Sequence, residues 1–132
     1  MLSSPSAADR QAFFILKKLG AAVREFDMIR ADDRISVAVS GGKDSLGLLR
    51  LLQVYRRSAG VRFELAAIHV LGDATGVIAP HPPLEAWLAE QDLPQRIVMP
   101  ALAKDDEPPL TCQRCTWLRR KALFQEIGRA HV

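Results

Sequence analysis

Apolar side chains recur at helical spacing along the first part of the chain. Phe13, Leu16, Leu19, Val23 and Phe26 fall three or four residues apart, the repeat of a helix with one buried stripe. Ahead of them Ser6 and Asp9 have the spacing of a capping box, so a helix is expected from about residue 7 to about residue 29. Asp32-Asp33 then predict a turn. Ile35-Ser-Val-Ala-Val39 is short and β-branched, which reads as a buried strand. Gly41-Gly42 break it. A second helix is expected from Asp44 to about Ala59, with Leu46, Leu48, Leu49, Leu51 and Leu52 inside and Gly60 as its stop. Phe63 to Val70 reads as a second strand, and Gly72 to Pro83 as a Gly- and Pro-rich loop. Pro82-Pro83 start a short helix to about Gln91. Arg96-Ile-Val-Met99 has the character of a third strand. A polar loop follows over 100–111, with Asp105-Asp106-Glu107 in it. Thr111 is suited to cap a last helix that runs to about Ile127 and stops at Gly128.

The order is α-β-α-β-α-β-α. Strands alternating with helices imply an α/β fold, a doubly wound parallel sheet with helices on both faces. No internal boundary divides residues 1–132, so one domain is expected: an amino-terminal helix over 1–30 and a core over 31–132. Such sheets usually have five or more strands. Only three are evident, with the start of a fourth at Ala130-His131-Val132. The expectation is a domain truncated after its third or fourth strand, and a homodimer is one way to cover the sheet edge this leaves.

Composition narrows the function classes. Hydrophobic residues make up 48% and charged residues 25%, the balance of a folded globular chain. No apolar run approaches the ~18–20 residues that span a bilayer, and MLSSPSAADRQ has no basic stretch followed by an apolar core. A cytoplasmic protein without a membrane partner is therefore expected. There are 18 Lys and Arg against 15 Asp and Glu, a net charge of +3. That is too small by itself to imply nucleic acid. Cys112 and Cys115 are too few for a disulfide scaffold.

The segment Ser40-Gly41-Gly42-Lys43-Asp44-Ser45 lies between a strand and a helix, where open α/β sheets bind ligands. Two glycines let the backbone approach an anion. The amides of the next helical turn point outward with the positive end of its dipole. Lys43 adds a full charge, and Ser40 and Ser45 bring hydroxyls. Asp44 is the misfit, since a carboxylate beside phosphate repels it unless a divalent cation lies between them. The segment reads as a polyphosphate site with Mg²⁺. It is not a Walker A loop, because Val37 stands where that motif needs Gly and Asp44 where it needs Ser or Thr.

Cys112-Gln-Arg-Cys115 falls at the predicted start of the last helix. Spacing of three puts both sulfurs on one face, with Arg119 four residues further along it. A helix amino terminus and nearby guanidiniums favour thiolates, which suit metal ligation or redox chemistry. Two ordinary cysteines fit the same residues, because one such pair supplies only half of a four-ligand site. From Cys112 onward, Arg114, Arg119, Arg120, Lys121 and Arg129 face the single acid Glu126. Such a stripe is either a solvated helix face or a track for a phosphate backbone.

Val39-Ser-Gly-Gly-Lys-Asp-Ser45 resembles the signature loop of the PP-loop ATPases, or N-type ATP pyrophosphatases. The resemblance implies an adenine nucleotide alpha-hydrolase-like fold that cleaves ATP between its α and β phosphates and transfers AMP to a substrate oxygen. By position, Ser40, Gly41, Gly42, Lys43 and Ser45 then hold the phosphates and Asp44 the Mg²⁺. Adenine lies against backbone at Val39 and at Ile68-His69-Val70, Val70 being the contact carried over. His69 itself reads as a packing residue.

Further residues point to a branch of that family. Met28-Ile29, Asp33-Arg34 and the Cys112–Cys115 pair followed by Arg119-Arg120 resemble tRNA 2-thiocytidine synthetase. The uridine-thiolating relatives carry a zinc finger ahead of the loop, and here no cysteine precedes Cys112. The branch implies ATP-dependent tRNA 2-thiolation: a pyrimidine C2 oxygen is adenylated with release of pyrophosphate, and sulfur from a donor of unknown identity displaces AMP. Lys43, Asp44, Cys112 and Cys115 become catalytic candidates. Cys112 and Cys115 become ligands of a 4Fe–4S cluster, and Arg114, Arg119, Arg120 and Lys121 become tRNA contacts. The third cluster cysteine of the branch has no counterpart in these 132 residues, and the acid that ends the family's second strand is displaced to Asp73. Two other readings stay open, a PP-loop ligase resembling lysidine synthetase and an ATP-binding module without activity. The C-x-x-C pair argues against the ligase.

Overall fold

A computed structural model describes residues 6–72 and 81–129. Its elements are α1 (Ala7–Glu25), β1 (Arg34–Ala38), α2 (Lys43–Ser58), β2 (Glu64–Val70), α3 (Pro82–Glu90), β3 (Gln95–Val98) and α4 (Cys112–Arg129). The order is the one the sequence predicts. The three strands form one parallel sheet in the order β1-β2-β3. Ile35 is in register with Leu65 and Ala38 with Ile68, while His69 is in register with Ile97. The candidate fourth strand at 130–132 and Asp73 lie outside the described residues. No helix among the described residues is long and apolar enough to cross a membrane.

The sheet separates two layers. On one face Val37, Val39, Leu65 and Ala67 pack with Val23 of α1, Leu49, Leu52 and Tyr55 of α2, and Leu84 and Leu88 of α3. Each such side chain removed from water contributes about 1.5–3 kcal/mol. On the other face Leu118 and Ala122 of α4 are buried, and Arg96 of β3 pairs with Glu126 of α4 at 3.6 Å. Helices therefore cover both faces. Among the described residues no strand pairs with the outer edge of β3, and Ile97 and Met99 are exposed.

Local signals explain most boundaries. The capping box at the start of α1 is formed: the Ser6 hydroxyl accepts from the Asp9 amide, and the Asp9 carboxylate accepts from the Ser6 amide. Gly60 takes φ +69° just after α2, a left-handed stop that glycine adopts without steric cost.

Four expectations are corrected. Helix α1 ends at Glu25 and not near residue 29, because Asp27 turns left-handed at φ +49° and the Met28 amide reaches back to the Val23 carbonyl. Only Leu16, Leu19 and Val23 of its apolar series face the core, and Phe13 and Phe26 are exposed. Of the five leucines expected inside α2, Leu49 and Leu52 are buried and Leu48 is exposed, since five leucines in seven positions overfill one helical stripe. Gly128 lies inside α4.

Leu49 is fully buried. Leu49→Ala should lower unfolding stability by about 2–5 kcal/mol through lost contacts and a residual cavity. Phe13→Ala, at an exposed site, should change it by no more than about 0.5 kcal/mol. Urea titration of both variants distinguishes the core-facing stripe from the exposed one.

Candidate functional site

Strand β1 and helix α2 are joined by four residues, Val39 to Gly42. The Val39 amide donates to the Ile68 carbonyl at 2.8 Å, so pairing with β2 continues to the loop's first residue. Gly41 then takes φ +93°, a conformation that would strain a side chain. Gly42 caps α2 with no side-chain hydrogen bond.

The two serines shape this loop. The Ser45 hydroxyl accepts from the Ser40 amide at 3.1 Å and lies 3.1 Å from the Gly42 carbonyl, to which it donates. Its single hydrogen is then used, so in the 3.2 Å contact between the two hydroxyls Ser40 is the donor. The Ser40 oxygen in turn accepts from the Gly42 amide at 3.2 Å. Both hydroxyls are thus turned into the loop. The groups left for an anion are the first-turn amides of α2, which have no intrahelical acceptor, and the Lys43 ammonium. Lys43 Nζ sits 2.9 Å from Asp44 Oδ1, with both side chains more than nine-tenths exposed. Such a pair opens at little cost.

His69 closes the loop from behind. Its ring is buried, and Nδ1 lies 2.7 Å from the Val39 carbonyl oxygen. From the other face of the sheet, Arg119 Nη2 donates to the Val70 carbonyl at 3.4 Å. A cavity of about 120 Å³ lies between, lined by Val39, Ser40, Val70, Arg119 and Arg120 among others. Val39, Val70 and the loop residues Ser40 to Ser45 are therefore gathered at the carboxyl ends of β1 and β2. Two larger hollows, of about 590 and 790 Å³, sit against β3 and α4 and at the amino ends of the strands. Neither reaches the loop, so the topology and not cavity size identifies the site.

The cysteines begin α4. The Thr111 hydroxyl accepts from the Arg114 amide at 3.1 Å, and its carbonyl accepts from the Cys115 amide at 2.9 Å. This cap places Cys112 at the first helical position, exposed, and Cys115 one turn on, half-buried. Both are free thiols. No group of three His, Cys, Asp or Glu side chains able to hold a metal occurs among the described residues.

Of the five basic residues read as one stripe, the four expected to contact tRNA divide in two. Arg119 turns inward to Val70. Arg114 makes a two-point ion pair with Asp106, at 2.6 and 2.9 Å, and its guanidinium stands 4.6 Å from the centre of the Trp117 ring. Lys121 approaches the same ring at 5.0 Å. Arg120 and Lys121 are exposed. Asp106 also accepts from the Ala103 amide at 2.8 Å, so it ties the loop ahead of the cysteines to α4. Asp106 and Trp117 were not legible as site-shaping residues. Three consecutive acids precede the helix, and nothing in their order marks the middle one.

No protein-family profile matches the chain. The tRNA-cytidine(32) 2-sulfurtransferase of Aeromonas salmonicida is 34% identical over 141 residues, covering 97% of this chain and 46% of that protein. That of Acinetobacter baumannii is 34% identical over 145 residues with the same coverage. In Citrifermentans bemidjiense the identity rises to 52% over 56 residues, 42% of this chain. The chain is a homologue of the tRNA-cytidine(32) 2-sulfurtransferases. It spans about half the length of the full-length relatives that it matches. The sulfurtransferase branch is the one that the paired cysteines and the Ser40–Ser45 loop indicate in the sequence.

The Arg114 hydrogen bonds, followed by the Ala103 amide, hold the Asp106 carboxyl below the ordinary carboxylate range. A depressed folded value stabilises the ionised state, so this contribution is present at neutral pH. It is lost as pH falls below about 4 and the carboxylate protonates. Thermal melts from pH 7 to pH 2 should show wild type losing more stability below about pH 4 than Asp106→Asn, which already lacks the charge.

Proposed function

We propose that the chain is the nucleotide-binding part of an ATP-dependent tRNA 2-thiolating enzyme. The observation that carries this reading is the Ser40–Ser45 loop, whose serines bond to the loop itself and leave the helix amides and Lys43 facing outward. The names of its homologues support tRNA as the substrate and a cytidine as the modified base.

In this reading the β and γ phosphates of ATP sit on the first-turn amides of α2, and Lys43 leaves Asp44 to meet them. Asp44, freed from Lys43, would hold Mg²⁺, which would offset the charge of the phosphates. Gly41 and Gly42 allow the close backbone approach. Adenine lies along Val39 and Val70. The C2 oxygen of the base attacks the α phosphorus, the bond to the β phosphate breaks, and pyrophosphate leaves. A sulfur nucleophile then adds at C2, and AMP departs with the former C2 oxygen. Positioning and charge neutralisation supply most of the rate in such a displacement. Arg119 of α4 is held at the Val70 carbonyl, at the end of the sheet where this reading puts the nucleotide.

Cys112 and Cys115 fit two positions of an iron–sulfur site: they lie one turn apart at a helix start and are unbridged. The described residues bring no third ligand to them, so no step is derived through a cluster. Arg120 and Lys121 are the exposed cations of α4 that this reading gives to the tRNA backbone. Arg114 supports the loop through Asp106.

Lys43→Ala should weaken ATP binding by about 1.5–3 kcal/mol, roughly ten- to a hundredfold. Unchanged affinity in titration calorimetry would remove the phosphate-loop assignment. Asp44→Asn should weaken Mg-ATP binding while leaving metal-free ATP unaffected or tighter, because the variant removes a like charge beside phosphate. Equal weakening of both ligands would mean that Asp44 does not serve the metal.

A further inference from the structure

We propose that His69 is a positioning residue for the phosphate loop, acting through the peptide group that joins Val39 to Ser40. The inference rests on reading that loop as a ligand site, but its geometry is independent of which nucleotide binds.

A peptide group is planar, so its orientation has one main freedom, rotation about the line between its two Cα atoms. Here both ends of the group are bonded. Its carbonyl, on Val39, lies 2.7 Å from His69 Nδ1. Its amide, on Ser40, donates to Ser45 Oγ at 3.1 Å. One bond comes from the sheet and the other from the first turn of α2. Together they fix the plane from which the chain enters the glycine turn, where Gly41 stands at φ +93°. The register of β1 on β2 ends at Ala38 and Ile68, so the carbonyl one residue later is served by a side chain.

The acceptor also sets the state of the ring. A carbonyl oxygen can only accept, so Nδ1 carries the hydrogen. Both residues are buried, at 6% and 2% exposure. An apolar side chain at position 69 would fill the space but leave the Val39 oxygen without its partner, a cost that falls on the loop. A packing histidine would need only its volume. The bonded geometry predicts that a donor at the same place matters more than the ring.

Two variants separate these roles. His69→Leu keeps apolar bulk and removes the donor. His69→Asn places an amide nitrogen the same number of bonds from Cα as Nδ1. Amide hydrogen exchange of the ligand-free chain, read by NMR, should speed about five- to tenfold at Ser40 and Gly42 in the Leu variant. The core amides of Leu52 and Leu65 should stay within about twofold, and the Asn variant should keep the loop protected. Loop exchange equal in wild type and Leu variant would overturn the proposal, as would a rise shared equally by the core. Ring nitrogen shifts of wild-type His69 give a further measurement: hydrogen on Nδ1 supports the proposal, and hydrogen on Nε2 alone overturns it even if the Leu variant fails to fold. Titration with Mg-ATP then tests the nucleotide reading separately. Wild type that does not bind would sink that reading and leave the exchange result to decide the role of His69.

Discussion

The parallel pairing of β1 with β2 is the constraint on which the site depends. It carries both strands to the same end of the sheet and extends to the Val39 amide, bonded to Ile68. The helix that follows must return along the sheet to reach β2, so its amino terminus is left at the carboxyl end of β1. A loop of four residues between strand and helix has little freedom. One left-handed glycine and two serine hydroxyls are enough to set it. The chemistry of the site is thus local in sequence, while its placement depends on contacts some thirty residues away.

The layered fold was legible because its signals are short-range. Strand and helix periodicities, the Ser6–Asp9 box and the Gly60 stop all act within a few residues, and they correctly predict seven elements in order. The Ser40–Ser45 loop stands out as a candidate site for the same reason: its glycines, lysine and serines are contiguous. What the sequence did not reveal was partnership. Five leucines in α2 all look like core residues until packing selects Leu49 and Leu52. Ser40 and Ser45 are visible as two hydroxyls beside the glycines, but their bonding to each other and to the loop backbone is not. Arg114, Arg119, Arg120 and Lys121 read as one basic track, yet Asp106, Trp117 and the Val70 carbonyl divide them. Each of these depends on a neighbour that no spacing rule names.

Helix α4 joins two features that the sequence presents separately. Its amino end bears the cysteine pair, and two turns later Arg119 touches the backbone at the carboxyl end of β2. The ion pair of Asp106 with Arg114 steadies the approach to that helix. A rigid helix makes the position of the thiols relative to the Ser40–Ser45 loop depend on packing under Leu118 and Ala122, which are buried against the sheet.

The Lys43–Asp44 pair has a kinetic consequence. Adjacent opposite charges form a dipole whose field fades quickly with distance, and both are bathed in solvent salt. The tip of the loop therefore exerts almost no long-range pull on a polyanion. On the proposed nucleotide reading, capture is left to diffusion and to the modest positive charge of the whole chain, +3. Selectivity begins only at contact, when phosphate and cation can each take one member of the pair. A site built this way gains its discrimination in the rate of escape and very little in the rate of arrival.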